Sequence, residues 1–133
     1  MKLVHASEFT GERPWAARDL ARIPDATVRL HWTDEPYVWR VNDGTKAFVV
    51  LDGPVDMHVR EGGSVTVHEL RPGVVFVAEP EDEHVAHPRG EARILVVEQA
   101  GSIWRLAPPG EVGRPGSGAG AGRHQTPQRP PVG

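Results

Sequence analysis

The sequence predicts an all-β fold, either a sandwich or a barrel. Two observations carry that prediction. From Ala26 onward, short apolar stretches alternate with turn residues at a spacing of about eight to twelve residues. Within the stretches apolar and polar residues alternate with a period of two, which turns one side of each strand toward a core.

Taken in order, the first element reads differently. Pro14 to Arg22 has proline at a first-turn position followed by Trp15, Ala16, Ala17 and Leu20, so a short helix is expected there, ended by Pro24. Residues 1–24 then form an N-terminal segment. The expected strands are Ala26–Trp32, Pro36–Val41, Lys46–Leu51, Val55–Arg60, Ser64–Leu70, Val74–Ala78, His84–His87 and Ala92–Gln99. Asn42-Asp43-Gly44 and Asp52-Gly53 offer positive φ at the turns, and Glu61-Gly62-Gly63 reads as a hairpin tip. Arg71-Pro72-Gly73-Val74 fits a type II turn, with proline second and glycine third.

Composition narrows the function classes. The chain has 133 residues, which favours one domain, and no cysteine, which removes disulfides, thiolate zinc sites and a cysteine nucleophile. A net charge of −3 with no basic stripe argues against a nucleic-acid partner. No apolar run reaches the length of a membrane span, and Glu8, Glu12 and Arg13 interrupt any secretory signal, so a cytoplasmic chain without a membrane partner is expected. Residues 107–133 hold 7 Gly and 6 Pro and no aromatic residue. Such a stretch buries too little apolar surface to offset its ordering entropy, so a disordered tail is expected after a barrel over residues 25–106.

The period-two pattern assigns faces. Val55, Met57 and Val59 share the inner side, opposite Asp56, His58 and Arg60; Val67 is placed inward with them. Lys46, Phe48 and Val50 share a face. In Pro36–Val41, Val38 and Arg40 point one way and Tyr37 and Trp39 the other.

With these residues in place the chain resembles a small single-domain bacterial cupin. The first motif of that family, G(X)5HXH(X)3–4E(X)6G, lies on Asp34, Arg40, Asn42, Lys46 and Gly53. The second, G(X)5PXG(X)2H(X)3N, lies on Gly73, Glu79, Glu81, His84 and Pro88. The spacing holds throughout, over about residues 25 to 100, while most identities differ. The resemblance implies a jelly-roll barrel, the double-stranded β-helix, whose relatives hold a divalent transition metal with two His, a Glu and a later His. Of those four ligands only His84 remains. Arg40 has no lone pair to give, and Lys46 binds metal only after losing its proton. No cofactor is therefore favoured; a divalent transition metal is the alternative, on a rebuilt site using His84 and Asn42 with His58 or His87.

The favoured reading is a metal-free pocket for a small anionic metabolite. Arg40 would anchor the anion, with Asn42 and Trp39 as further binding residues. Lys46 would polarise a carbonyl or act as base, His84 would move the proton, and Tyr37 would assist. If the chain is an enzyme, isomerisation, cyclisation or dehydration fits better than oxygen chemistry. A non-catalytic binding or structural barrel is the competing class, in which Arg40 and Lys46 pair with Asp34, Glu35, Glu81 or Glu83. His58 and His68 are placed on the outer face, His87 in a partly exposed loop, and His31 is read as structural. The resemblance also implies a homodimer.

Overall fold

The computed structural model describes residues 1–107. The expected tail, apart from Ala107, lies outside the described residues. Ten strands form two five-stranded antiparallel sheets. They are β1 (Ala16–Ile23), β2 (Ala26–Thr33), β3 (Arg40–Asn42), β4 (Lys46–Asp52), β5 (Val55–Glu61), β6 (Ser64–Leu70), β7 (Val75–Ala78), β8 (Glu83–Pro88), β9 (Ala92–Gln99) and β10 (Trp104–Leu106). The strand orders are β1-β2-β9-β4-β7 and β10-β3-β8-β5-β6, so consecutive strands repeatedly cross from one sheet to the other. Among the described residues no helix is long and apolar enough to cross a membrane.

The helix expected over Pro14–Arg22 is absent, and the segment is strand β1. Trp15 turns the chain in the left-handed region at φ 66°, and Ala16 and Ala17 then pack fully buried opposite Trp32 and His31. Alanine is small enough for that covered site, and the ladder to β2 overrides local helix propensity. The pairing is reinforced where Arg29 Nε donates to Asp19 Oδ1 at 2.8 Å. A register shift between Asp19 and Ala21 lets the strand bend. The helical residues among those described are a 3-10 turn, Ala6–Glu8.

Seven of the eight expected strands appear with ends within a residue. Pro36–Val41 is the exception, because pairing begins only at Arg40. Pro36 to Trp39 arrives as a loop, so strand alternation does not govern Tyr37 and Trp39. Val67 is also corrected. It is the register partner of His58, lies on the outer face, and is 51% exposed; His68 takes the position opposite buried Met57.

Turn chemistry explains the connections at two glycines. Gly53 has φ 82°, and a Cβ there would lie 2.1 Å from the Glu91 carbonyl oxygen, so a left-handed turn and close backbone approach coincide. Gly44 is not at positive φ as expected; it is needed for space, since a Cβ would lie 2.3 Å from Ser102 Oγ. That approach holds the loop before β10 against the turn before β4. Asp43 locks it: its N–H donates to the Ile103 carbonyl, and its Oδ1 accepts from the Ile103 N–H.

The barrel interior has two parts. Phe48, Val50, Val55, Met57, Leu70, Ile94 and their neighbours form a continuous apolar cluster. Each large side chain buried in this way contributes about 1.5–3 kcal/mol. The other part is polar, and it contains most of the residues expected to carry function.

Candidate active site

Strand β3 is only three residues long, yet it delivers two of the polar side chains. Arg40 is the register partner of His84 on β8, and Asn42 is the register partner of Trp104 on β10. Across the barrel, β4 begins with Lys46, whose register partner on β9 is Glu98. The alternation Ile94, Val96, Glu98 carries that carboxylate inward after two buried apolar residues. Arg40, Asn42, Lys46, His84, Glu98 and His31 are all buried, at 8% exposure or less.

Trp15, His31, Arg40, Asn42, Lys46, Val96, Glu98 and Trp104 enclose a cavity of about 10 Å³, room for about one water. Tyr37 does not line it but packs against three residues that do. The ring packs 5.4 Å from Trp15 and 5.5 Å from Trp104, with the Arg40 guanidinium 5.0 Å above it. Several buried polar atoms in this region have no protein hydrogen-bond partner: His31 Nδ1, Asn42 Oδ1 and Trp104 Nε1.

The electrostatics follow from burial beside two cations. His31 is lowered to about 3, first by desolvation and then by Arg40 and Lys46; a hydrogen bond to the Trp15 backbone opposes this. His84 is lowered to about 2, by desolvation, then Lys46, then Arg40. Both imidazoles are neutral at pH 7. Burial also lowers Arg40, while Tyr37 and Glu98 hold it up. Burial raises the Tyr37 phenol, with Arg40 opposing. The cluster thus combines two cationic side chains, one carboxylate and two neutral imidazoles.

The sequence-predicted residues divide three ways. Arg40, Asn42 and Lys46 line the cavity, whereas His84 packs beside Arg40, its ring 5.8 Å from Phe76. Trp39 is not among the lining residues; the Arg60 guanidinium sits 4.5 Å over its ring. His58 and His87 stack on each other at 4.1 Å on the outer face of the second sheet. Alternation along β8 turns His84 inward and Val85 outward with His58, so the outer pair cannot join His84 on one ion. His87 belongs to β8, not to a loop.

Two site residues escaped the sequence reading, His31 and Glu98. For Glu98 a signal existed, because extending the Ile94–Val96 alternation by one step points it inward. For His31 the neighbour misled, because Leu30 and His31 are both buried and β2 is covered on both faces. Two of the carboxylates proposed as partners for Arg40 and Lys46 have other contacts. Glu81 pairs with Arg105 at 2.7 Å and Glu83 with Arg60 at 2.8 Å, while Glu98 is the carboxylate beside the buried cations.

The two interleaved antiparallel sheets, closed on a mixed apolar and polar interior, define a double-stranded β-helix protein. The chain has the cupin fold. It is similar to a cupin-2 domain protein from Shewanella frigidimarina, with 22% identity, 67% of this chain and 84% of that chain covered, and a TM-score of 0.60. A double-stranded β-helix domain protein from Klebsiella pneumoniae covers 80% of this chain over 91% of its own, at 18% identity and TM-score 0.64. The polyketide cyclase RemF from Streptomyces resistomycificus covers 77% over 81%, at 18% identity and TM-score 0.60. No protein-family model matches the sequence, and no curated protein matches it.

The fold implies a divalent metal at the positions of Arg40, Asn42, Lys46 and His84, and these residues do not fit one. A guanidinium offers no lone pair, and an ammonium must shed its proton first. A dication would also face two like charges at close range. Among the described residues no group of three or more His, Asp or Glu is arranged to hold a metal.

Proposed function

We propose that the polar cavity binds a small anionic metabolite without a metal, and that the protein isomerises, cyclises or dehydrates it by proton transfer. One observation carries this reading. Arg40 and Lys46 are both buried in the barrel interior beside a single carboxylate, Glu98, so the cluster keeps a surplus positive charge. Buried surplus charge is costly, and an anion relieves it.

In this reading Arg40 holds a carboxylate through paired N–H donors and Lys46 adds a point charge where negative charge develops. His31, on the cavity wall, and His84, behind it, supply neutral imidazoles. Binding of an anion offsets the Arg40 and Lys46 charges that depress both rings, so their basicity rises as the substrate arrives. Tyr37 assists by holding Trp15, Trp104 and the Arg40 guanidinium in place. That a polyketide cyclase shares the fold supports proton-transfer chemistry as something this barrel can host.

A binding module without turnover is the second reading, favoured by the small cavity. The test of both is titration of the protein with simple monoanions, read by tryptophan fluorescence because Trp15 and Trp104 wall the cavity. Saturable binding is expected, and its absence at tens of millimolar refutes the proposal. Metal analysis of protein purified without chelator is expected to find well under about 0.1 equivalent of any transition metal; one equivalent would refute the metal-free assignment. We also propose a homodimer. Val75 and Val77, 57% and 48% exposed, stand beside outward-facing Val49 and Ala47 on the first sheet.

A further inference from the structure

We infer that the cavity selects a small monoanion carrying its own hydrogen-bond donor, of which a hydroxylated monocarboxylate is the simplest kind. This rests on the anion-binding reading above and adds two requirements to it, one from charge and one from hydrogen-bond polarity.

The charge requirement follows from the count of ionised groups at the cavity wall. Arg40 and Lys46 are opposed by Glu98, and the imidazole of His31 is neutral. One negative charge balances that wall. A dianion would bury an excess charge of the opposite sign with no partner, which low dielectric makes costly.

The polarity requirement comes from atoms that the fold leaves unpaired. Asn42 Oδ1 is an acceptor without a donor. His31 bonds the Trp15 backbone through its ring, which leaves Nδ1 as an unpartnered lone pair. Trp104 Nε1, on the register partner of Asn42, is a donor without an acceptor. A bare carboxylate only accepts. It can satisfy Trp104 and the cations, but it leaves Asn42 Oδ1 and His31 Nδ1 stranded.

A hydroxyl both donates and accepts, as water does. The cavity of about 10 Å³ is water-sized. A ligand hydroxyl can therefore take the place of one water, donating its single hydrogen to Asn42 Oδ1 and accepting from a neighbouring donor, which preserves affinity where an apolar group would lose it. The hydroxyl fills the water-sized space, and the carboxylate, which exceeds it, reaches Arg40 and Lys46 only as the Trp15 and Trp104 side chains that wall the cavity move apart.

The experiment is isothermal titration of the full chain at pH 7 with glycolate, acetate, oxalate and glycolamide. Glycolate is expected to bind at least about tenfold tighter than acetate, the size expected for one unmet buried acceptor. Oxalate and neutral glycolamide are each expected to bind weaker than glycolate by a similar factor. In an Asn42→Leu variant the preference for glycolate over acetate should shrink severalfold while acetate binding persists. Should that variant fail to fold, the wild-type ligand series decides alone. Equal binding of acetate and glycolate, or tighter binding of oxalate, overturns this inference and leaves the anion pocket standing. Failure of all three anions to bind overturns the anion pocket and the inference together.

Discussion

Replacing Lys46 with methionine separates a functional cation from a structural one. The substitution keeps the length and most of the volume of a side chain that is 2% exposed, and it removes one charge. In the native cluster two cations face Glu98; in the variant Arg40 and Glu98 remain as a balanced pair, and Glu98 already acts on Arg40. A charge pair at 4 Å in an effective dielectric of about 20 is worth about 4 kcal/mol before desolvation. Allowing for part of that as desolvation cost, anion affinity should fall about 100-fold, or about 2.7 kcal/mol. Stability should hold or rise, because a like-charge repulsion disappears and Glu98 keeps a partner. Glu98→Gln is the opposite perturbation. It leaves two buried cations uncompensated and should cost about 3–5 kcal/mol, the loss typical of breaking a buried pair from one side. Urea unfolding and anion titration of both variants provide the readouts. If Lys46→Met destabilises as much as Glu98→Gln and binds anions as wild type does, Lys46 is the structural partner of Glu98 and the surplus-charge argument is wrong.

Three other outcomes are expected. The imidazoles of His31 and His84 bind protons below pH 6.5 when unfolded but only near about 3 and about 2 when folded. Their contribution is therefore complete above pH 6.5 and is lost as the pH falls, with a slope approaching about 1.4 kcal/mol per pH unit for each ring. Urea unfolding between pH 5 and 6.5, above most carboxylate titration, should show that slope, and His84→Gln should roughly halve it; a flat profile would mean the rings are protonated in the native state. Gly53→Ala should destabilise by clearly more than the about 1 kcal/mol expected for Gly62→Ala, because both have positive φ but only Gly53 meets a backbone oxygen. Thermal unfolding of the pair checks this, and equal shifts would count against the close approach. Sedimentation of the wild type should show a dimer and Val77→Glu a monomer; an unchanged mass in both removes the outer sheet face as the contact.

The turns made the barrel legible. Pro72-Gly73, Gly62-Gly63 and Asp52-Gly53 each end a strand for a local reason, and all four glycines at these turns have positive φ where the pattern put the turns. Strand β1 was hidden because Ala16-Ala17-Arg18 has helical propensity and Pro24-Asp25 reads as a helix stop, whereas it is the turn of a hairpin whose second strand, β2, holds β1 extended. Lys46 was legible because Phe48 and Val50 continue its face. Arg40 was reached through motif spacing, since the four residues before it do not form a strand. His31 was not legible for a different reason: its inward direction depends on which sheet face meets β3 and β10, and period-two counting has no access to that. Trp104 was seen only as an aromatic residue, because a three-residue edge strand leaves almost no pattern.

The division of the interior has a consequence for how such a barrel changes over evolutionary time. Apolar burial is concentrated in Phe48, Met57, Ile94 and their neighbours, whereas the buried ionisable groups line the other part of the interior, and Trp15 and Val96 are shared between the two. Substitutions at Arg40, Asn42 and Lys46 can therefore change the charge of the polar part and leave the scaffold standing. The scaffold and its chemistry can therefore be altered independently, and in a barrel of this shape the architecture is easier to read than the vocation.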